Sequence, residues 1–132
     1  MISWFEKNVV ISWGITIIIA VLIFYVSSLT FGTGGGGFGI NALLYHFGAF
    51  FVLATFLFIS LSRGKHMGFI FLGVILAVVY GLSDEIHQIF VPGRTSSMFD
   101  VFLDSVGVLF AFMFYTISVV YRNEFRTDRK EL

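Results

Sequence analysis

The side chains that can do chemistry are concentrated between residues 84 and 104, in a segment flanked by strongly apolar stretches. Half of the chain's carboxylates lie there, namely Asp84, Glu85, Asp100 and Asp104. The same segment contains His87, Gln88 and Arg94. Ionisable groups are costly at membrane depth and by default mark a functional site. Carboxylates and imidazole can transfer protons, and a guanidinium can hold a phosphate or a carboxylate. We therefore expect a site built around this segment.

Seven residues of this segment, together with His46, fall into two predicted groups. The predicted catalytic residues are His46, Asp84, Glu85 and Asp104, and the predicted substrate-binding residues are Gln88, Arg94, Ser97 and Asp100. In an enzymatic version, His46 or Asp84 acts as general base and Glu85 orients a partner or a metal. Two simpler interpretations stay open, with His46 as a hydrogen-bonded interior residue and Asp100 as a helix cap. Whether the chain is an enzyme also stays open.

Arg94 stands just before a predicted helix N-terminus, where free backbone amides favour anions. With the three hydroxyl residues that follow it, Arg94 can hold a phosphate or a carboxylate. It can equally pair with Asp84, Glu85 or Asp100 and fix the turn between two helices, and the two roles can coexist. The pattern Ser97-x-x-Asp100 also fits a capping box that opens the following helix.

The acidic residues and histidines also resemble the ligand set of a hard metal ion, which favours carboxylates with imidazole. That set comprises His46, Asp84, Glu85, His87, Asp100 and Asp104. No compact metalloenzyme signature such as H-E-x-x-H occurs in the sequence. A network of carboxylates with Arg94 accounts for the same residues and is the favoured interpretation, so any cofactor is left unknown.

The composition restricts the class of protein. With 58% hydrophobic residues and a mean hydropathy of +0.95, the 132-residue chain is too apolar for a soluble domain and suits a membrane. A net charge of zero removes the case for nucleic-acid binding through a basic surface. The absence of cysteine excludes disulfides, thiol catalysis and cysteine-ligated metals.

Four apolar runs predict an all-α fold, a four-helix polytopic transmembrane bundle that forms a single domain over residues 1–132. The predicted helices cover residues 9–31, 42–62, 67–90 and 98–121. The first run is too long for the apolar part of a cleaved signal peptide, so we expect a retained anchor. The third reaches spanning length only if residues 84–88 belong to it, which places Asp84 and Gln88 near bilayer depth.

The distribution of Lys and Arg predicts the orientation. Seven of the eight lie on the side that holds both termini, and only Arg94 lies on the other. Because positive residues favour the cytoplasm, we expect both termini inside and the loops around residues 32–41 and 92–98 outside. The glycine-rich stretch 32–39 is interpreted as a flexible outer linker, since it lacks the strand and lysine of a phosphate-binding loop.

Small and polar residues share one stripe on each of the last two predicted helices. The stripes are Gly73, Ala77, Gly81, Asp84 and Gln88 on the third helix and Asp100, Asp104, Gly107 and Ala111 on the fourth. Small residues at this spacing let helix backbones approach closely, so we expect the two stripes to face each other. At ~1.5 Å rise per residue, His46 of the second helix falls at the depth of Asp84 and Asp104.

On these residues the sequence resembles the VanZ-like family. The resemblance is carried by Asp84-Glu85-x-x-Gln88-x-Phe90-x-Pro92-x-Arg94, followed by Asp100 and Gly107, and by His46-Phe47 at the start of the second helix. The family usually has Asn where this chain has Asp104, and commonly Tyr where it has Phe50. The resemblance implies four helices and a role at the bacterial envelope, associated with low-level resistance to the glycopeptide teicoplanin, without a defined reaction.

The leading functional hypothesis is an integral protein of the bacterial cytoplasmic membrane with an outward-facing pocket of carboxylates, histidine and arginine. Its expected partners are membrane lipids, in particular a phosphate-bearing lipid or a cell-wall lipid precursor, and no nucleic acid. The alternative is a non-catalytic membrane partner or binding protein whose polar cluster stabilises helix packing. A channel or proton-coupled transporter ranks third, since four short spans would need to oligomerise.

Overall fold

The computed structural model describes residues 1–29, 40–94 and 96–131, with side chains up to residue 124. The described residues form five helices and no strand: α1 (Ile2–Lys7), α2 (Val9–Ser27), α3 (Ile40–Ser62), α4 (Gly68–Ile89) and α5 (Met98–Glu131). The predicted all-α fold is therefore confirmed. The glycine-rich linker and Thr95 lie outside the described residues, so the interpretation of the linker stays a prediction.

Four of the described helices are long and apolar enough to cross a membrane: Val9–Ser27, Ile40–Ser62, Gly68–Ile89 and Met98–Glu124. Large apolar side chains such as Ile18, Phe71 and Phe102 point away from the bundle, as a lipid environment allows. The predicted four-span bundle is confirmed. The first span ends at Ser27 rather than at residue 31, and α1 was not predicted.

Two turns reverse the chain around α4. After α3, Arg63 and Gly64 both adopt positive φ angles, of 52° and 68°, which ends the helix. After α4, Gly93 has a φ of 80° and follows Pro92, as the predicted Pro-Gly turn requires. The second turn brings the end of α4 next to the start of α5.

α3 is the central helix and packs against each of the other four. Its buried side chains include Phe50, Ala54 and Phe58. Small residues let the neighbouring helices approach: a Cβ at Gly107 would lie 2.5 Å from the Phe47 carbonyl oxygen, and one at Gly73 would lie 2.7 Å from the Phe58 ring. Close backbone packing at small residues is typical of membrane helices.

The two predicted stripes are buried, but they do not face each other along their whole length. Gly81 of α4 does face α5, since its Cβ position lies 3.3 Å from Asp104 Oδ2. Gly107 instead abuts the backbone of α3. The expectation of two mutually facing stripes is therefore wrong at Gly107, because α5 packs against α3 as well as α4 and a small residue can serve either contact.

A polar network joins the helices at the end of the bundle that holds the α3–α4 turn. The Glu6 carboxylate accepts hydrogen bonds from Arg122 Nη1 and Nη2, at 2.8 and 2.7 Å, and from the Tyr115 hydroxyl at 2.8 Å. The Tyr115 hydroxyl also accepts the backbone N–H of Gly64 at 3.0 Å. This network joins α1, the α3–α4 turn and α5. We call this end of the bundle the basic end, since Arg63, Lys65 and Arg122 lie there.

Candidate functional site

The start of α3, the end of α4 and the start of α5 meet at the end of the bundle opposite the basic end, which we call the acidic end. Five predicted site residues come together there with no more than 6% of their surface exposed: His46, Asp84, Glu85, Gln88 and Asp104. Groups of this kind are rarely buried unless they bind one another or a ligand. Their burial from three helices makes the acidic end the candidate site.

His46 and Asp104 form the central contact of the site. His46 Nδ1 lies 3.0 Å from Asp104 Oδ1, and both side chains are buried. The other ring nitrogen, Nε2, lies 3.9 Å from Oδ2 of Asp100, whose side chain is 24% exposed. When Nδ1–H donates to Asp104, Nε2 is left as the basic nitrogen on the more accessible side. A carboxylate that orients a histidine in this way is typical of acid–base sites.

Gln88 joins the two carboxylates that precede it on α4. Its Nε2 donates to Asp84 Oδ2 at 3.0 Å and to Glu85 Oε1 at 3.2 Å. The second oxygen of Glu85, Oε2, accepts the backbone N–H of Ser97 at 2.8 Å. Adjacent helical residues point about 100° apart, yet both carboxylates reach one amide and are fixed by it.

The predicted capping box at Ser97 is only half correct. Ser97 Oγ accepts the N–H of Phe99 at 3.2 Å, as an N-cap residue does. The reciprocal bond to the Ser97 N–H comes from Glu85 of the preceding helix, not from Asp100. Asp100 instead faces His46. The local pattern was misleading because a carboxylate from another helix competes for the same amide.

Three buried oxygens in the site have no hydrogen-bond partner among the described residues: Asp84 Oδ1, Asp104 Oδ2 and the hydroxyl of Tyr45. The phenol of Tyr45 interacts electrostatically with Asp84, Arg94 and Asp104, so it belongs to the same site. The sequence interpretation missed Tyr45, although its position next to His46 was a usable signal. Buried acceptors without donors are rare in folded proteins and call for an additional partner.

Arg94 reaches this site from the turn between α4 and α5. Its side chain is half-buried, and its charge acts on Tyr45. It is the only Lys or Arg between residues 66 and 121 of the sequence. The acidic end therefore holds four carboxyl groups (Asp84, Glu85, Asp100 and Asp104) and one guanidinium, a formal excess of three negative charges when all four carboxyl groups are ionised and His46 is neutral.

The structure separates His87 from the metal-ligand set that the sequence suggested. His87 Nε2 lies 3.0 Å from Ser28 Oγ, and its ring stacks on Phe24 at 4.4 Å, so it joins α4 to α2. Inclusion of His87 in the ligand set was wrong because its side of α4 faces α2. The described residues that can hold a metal together are His46, Glu85 and Asp104, whose ligand atoms lie within 4.8 Å of one another.

The fold and the site define a four-span membrane protein with a buried histidine–carboxylate site at one end of its bundle. The family model described as VanZ/LLP1 matches residues 8–120, and the chain belongs to that family. The match covers all eight predicted site residues and confirms the resemblance seen in the sequence. Neither a curated protein nor a solved structure matches the chain.

Proposed function

We propose that the acidic end binds the phosphate-bearing head group of an envelope lipid or cell-wall lipid carrier and catalyses displacement at that phosphate. The observation that carries the proposal is the 3.0 Å contact between His46 Nδ1 and Asp104 Oδ1, beside the single guanidinium of Arg94. A buried imidazole oriented by a carboxylate is suited to general-base catalysis. A guanidinium is suited to phosphate oxygens.

In the proposed reaction, His46 Nε2 takes the proton of an attacking hydroxyl, from water or from an acceptor molecule. The hydroxyl oxygen forms a new bond to phosphorus, the bond from phosphorus to the leaving oxygen breaks, and the imidazolium returns the proton to that oxygen. Asp104 is the positioning residue that stabilises the imidazolium, and Arg94 holds the non-bridging phosphate oxygens. Glu85 and Gln88 fix the neighbouring backbone and carboxylates.

The proposed location is the outer face of the bacterial cytoplasmic membrane, with both termini inside. The excess of Lys and Arg at the basic end supports this orientation. Cell-wall lipid intermediates are exposed on the same face, and the resemblance to proteins associated with teicoplanin resistance agrees with it. We propose that expression in a glycopeptide-susceptible bacterium raises the teicoplanin concentration needed to stop growth.

The test is a turnover assay with the purified full chain in lipid nanodiscs. Phospholipid and polyprenyl-phosphate substrates are supplied with and without divalent metal ions, from mildly acidic to mildly basic pH. Removing a general base costs about 10²–10⁴-fold, so His46→Gln should lower turnover by that factor. His87→Gln is the matched control, since this histidine lies on the α2 side of α4 and should leave turnover unchanged. Absence of turnover with every substrate would exclude the catalytic version.

The hydrogen bonds of Glu85 and Gln88 favour a second candidate, a non-catalytic binding or partner protein in which the cluster stabilises helix packing. Gln88 fixes the two α4 carboxylates, and the bond from the Ser97 N–H to Glu85 ties α4 to the start of α5, all without any ligand. Alanine substitutions at Asp84, Gln88 and Arg94 separate the two candidates. Normal membrane levels with a lost resistance or lipid phenotype support a site, whereas loss of folded protein supports a packing role.

A further inference from the structure

We propose that the acidic end binds one divalent cation through His46, Glu85 and Asp104, one residue from each of three helices. A donor set of one imidazole and two carboxylates suits Mn²⁺ or Zn²⁺ better than Ca²⁺ or Mg²⁺, which prefer oxygen ligands alone. The binding of the cation does not depend on the proposed function. Its role, as an anchor for the phosphate group of the ligand, rests on that function.

The geometry is close to that of a coordination shell. One ligand atom from each of the three residues lies within 4.8 Å of the others. Two donors bound at ~2.1 Å to one ion stand ~3 Å apart when adjacent and ~4 Å apart when opposite. The 3.0 Å separation of His46 Nδ1 and Asp104 Oδ1 fits adjacent positions. The ligand atom of Glu85 lies within 4.8 Å of the other two, so it has to move closer to them when the ion binds, which a side-chain adjustment supplies.

Unpartnered oxygens supply a second, independent observation. Asp104 is 2% exposed and Asp84 is 4% exposed, yet Asp104 Oδ2 and Asp84 Oδ1 have no hydrogen-bond partner among the described residues. Asp104 Oδ2 lies on the side of α5 that faces Gly81 of α4. A buried ionised carboxylate oxygen with no donor is strongly unfavourable unless a cation or a proton neutralises it. Asp84 is joined to the ligand Glu85 through Gln88, which donates to both carboxylates.

The remaining hydrogen bonds hold the ligands as outer-shell partners do at metal sites. Glu85 is fixed from both sides, by Gln88 Nε2 and by the Ser97 N–H. Fixing a ligand carboxylate in this way restricts its rotamers before the ion arrives. The excess of three negative charges at the acidic end adds a long-range attraction for a divalent cation.

A cation also resolves a conflict inside the proposed function. With three uncompensated negative charges, the acidic end repels a phosphate group, and Arg94 alone does not reverse that sign. A bound divalent ion cancels two of those charges and places the positive charge at the centre of the site. Phosphate oxygens can then approach both the ion and Arg94. Binding of a phosphate-bearing lipid is therefore expected to be tighter with the cation. Because the ion takes the place of the Nδ1 proton of His46, this histidine acts as a general base only in the cation-free state.

The direct test measures metal binding by the purified full chain. The protein is stripped with a chelator in detergent and titrated separately with Mn²⁺ and Zn²⁺ by calorimetry, and bound metal is counted by mass spectrometry after desalting. One ion per chain is expected. Glu85→Gln and Asp104→Asn keep the size of the side chain and should each weaken binding by at least about 10-fold.

Matched variants keep the test interpretable. His87→Gln and Glu6→Gln remove a histidine and a carboxylate outside the acidic site, and both should bind metal like the parent chain. Thermal unfolding of each variant without metal shows whether it is folded. Failure of the parent chain to retain any ion, or unaltered binding by both Glu85→Gln and Asp104→Asn, would overturn the proposal.

Two further measurements separate this inference from the proposed function. A bound ion that does not promote binding of phosphatidylglycerol or polyprenyl phosphate in nanodiscs leaves the metal site standing and contradicts the phosphate role. Turnover that persists in chelator and disappears in His46→Gln supports the proposed function, and the metal site is then judged by the titrations alone. Free inorganic phosphate, tested in parallel, shows whether the lipid part of the ligand is needed.

Discussion

The Glu85 carboxylate accepts the backbone N–H of Ser97 at 2.8 Å, across the turn that joins α4 to α5. Ser97 is the residue that caps α5, so a side chain near the end of one helix satisfies the first backbone amide of the next. The same carboxylate holds Gln88 through its other oxygen. Glu85 therefore has a structural role that is separable from any chemistry at the site.

Two substitutions at Glu85 test that separation. Glu85→Ala leaves the Ser97 amide without its acceptor and should lower the free energy of unfolding by about 1–3 kcal/mol. Glu85→Gln keeps an oxygen within reach and should cost less than about 1 kcal/mol, while it removes the charge. Unfolding in mixed micelles by chemical denaturant provides the measurement. Equal destabilisation by both variants would show that α5 depends on the negative charge of Glu85 and not on its hydrogen bond to the Ser97 N–H.

Gly107 is predicted to be intolerant of a side chain. Gly107→Ala would place a methyl carbon 2.5 Å from the Phe47 carbonyl oxygen and 3.1 Å from the Phe51 amide nitrogen, so α3 and α5 would have to separate. Such overpacking costs about 1–3 kcal/mol. Thermal unfolding in detergent should therefore show a lowered midpoint.

Gly48→Ala is the matched control for Gly107→Ala. Gly48 lies on α3, the other helix of that interface, and its Cβ position has no heavy atom of another helix within 4 Å. Alanine is the better helix former by about 1 kcal/mol, so this variant should keep or raise the unfolding midpoint. A similar loss for both variants would contradict close packing as the cause.

The Glu6–Arg122 pair is predicted to stabilise the basic end. Glu6→Gln breaks two charge-assisted hydrogen bonds at a carboxylate that is 9% exposed, and should cost about 1–3 kcal/mol. Arg122→Gln should cost a similar amount, and the double variant should cost less than the sum of the two. Glu124→Gln, at an exposed glutamate on the same helix, should be neutral. Additive losses in this cycle would mean that the two residues act independently.

The orientation can be tested because the chain has no cysteine. Ser96 is exposed in the α4–α5 turn at the acidic end, and Ser3 is exposed at the basic end. The variants Ser96→Cys and Ser3→Cys therefore place one accessible thiol at each end. We expect a membrane-impermeant maleimide to label intact cells at residue 96 and to label residue 3 only after lysis. The opposite labelling pattern would place the acidic end in the cytoplasm and remove the basis for an outer-face ligand.

Periodicity and chain rise predicted which polar side chains lie together at the acidic end. Counting from the predicted helix start placed His46 at the depth of Asp104, and the two side chains are 3.0 Å apart. The helix stripe likewise grouped Asp84 with Gln88, which are hydrogen-bonded. The first prediction rests on counting residues along two separate helices and the second on spacing along one helix, and both counts are read directly from the sequence.

Relations between helices were harder to predict. Periodicity shows which side of a helix is small or polar, but not which neighbour will cover it, and so Gly107 was assigned to α4 instead of α3. His87 was grouped with the carboxylates because it lies one residue from Gln88, although its ring stacks on Phe24 of α2. The capping-box prediction failed for a related reason, because the acceptor of the Ser97 N–H is Glu85, twelve residues upstream on another helix.

The Glu6–Arg122 pair joins residues that are 116 positions apart in the chain. During synthesis the amino-terminal segment leaves the ribosome first, whereas its counter-ion emerges only after the fourth span has been made. A nascent chain with three inserted spans therefore lacks the guanidinium that binds both oxygens of Glu6 in the finished bundle. The α1 segment can therefore be secured to α5 only after the fourth span has been made.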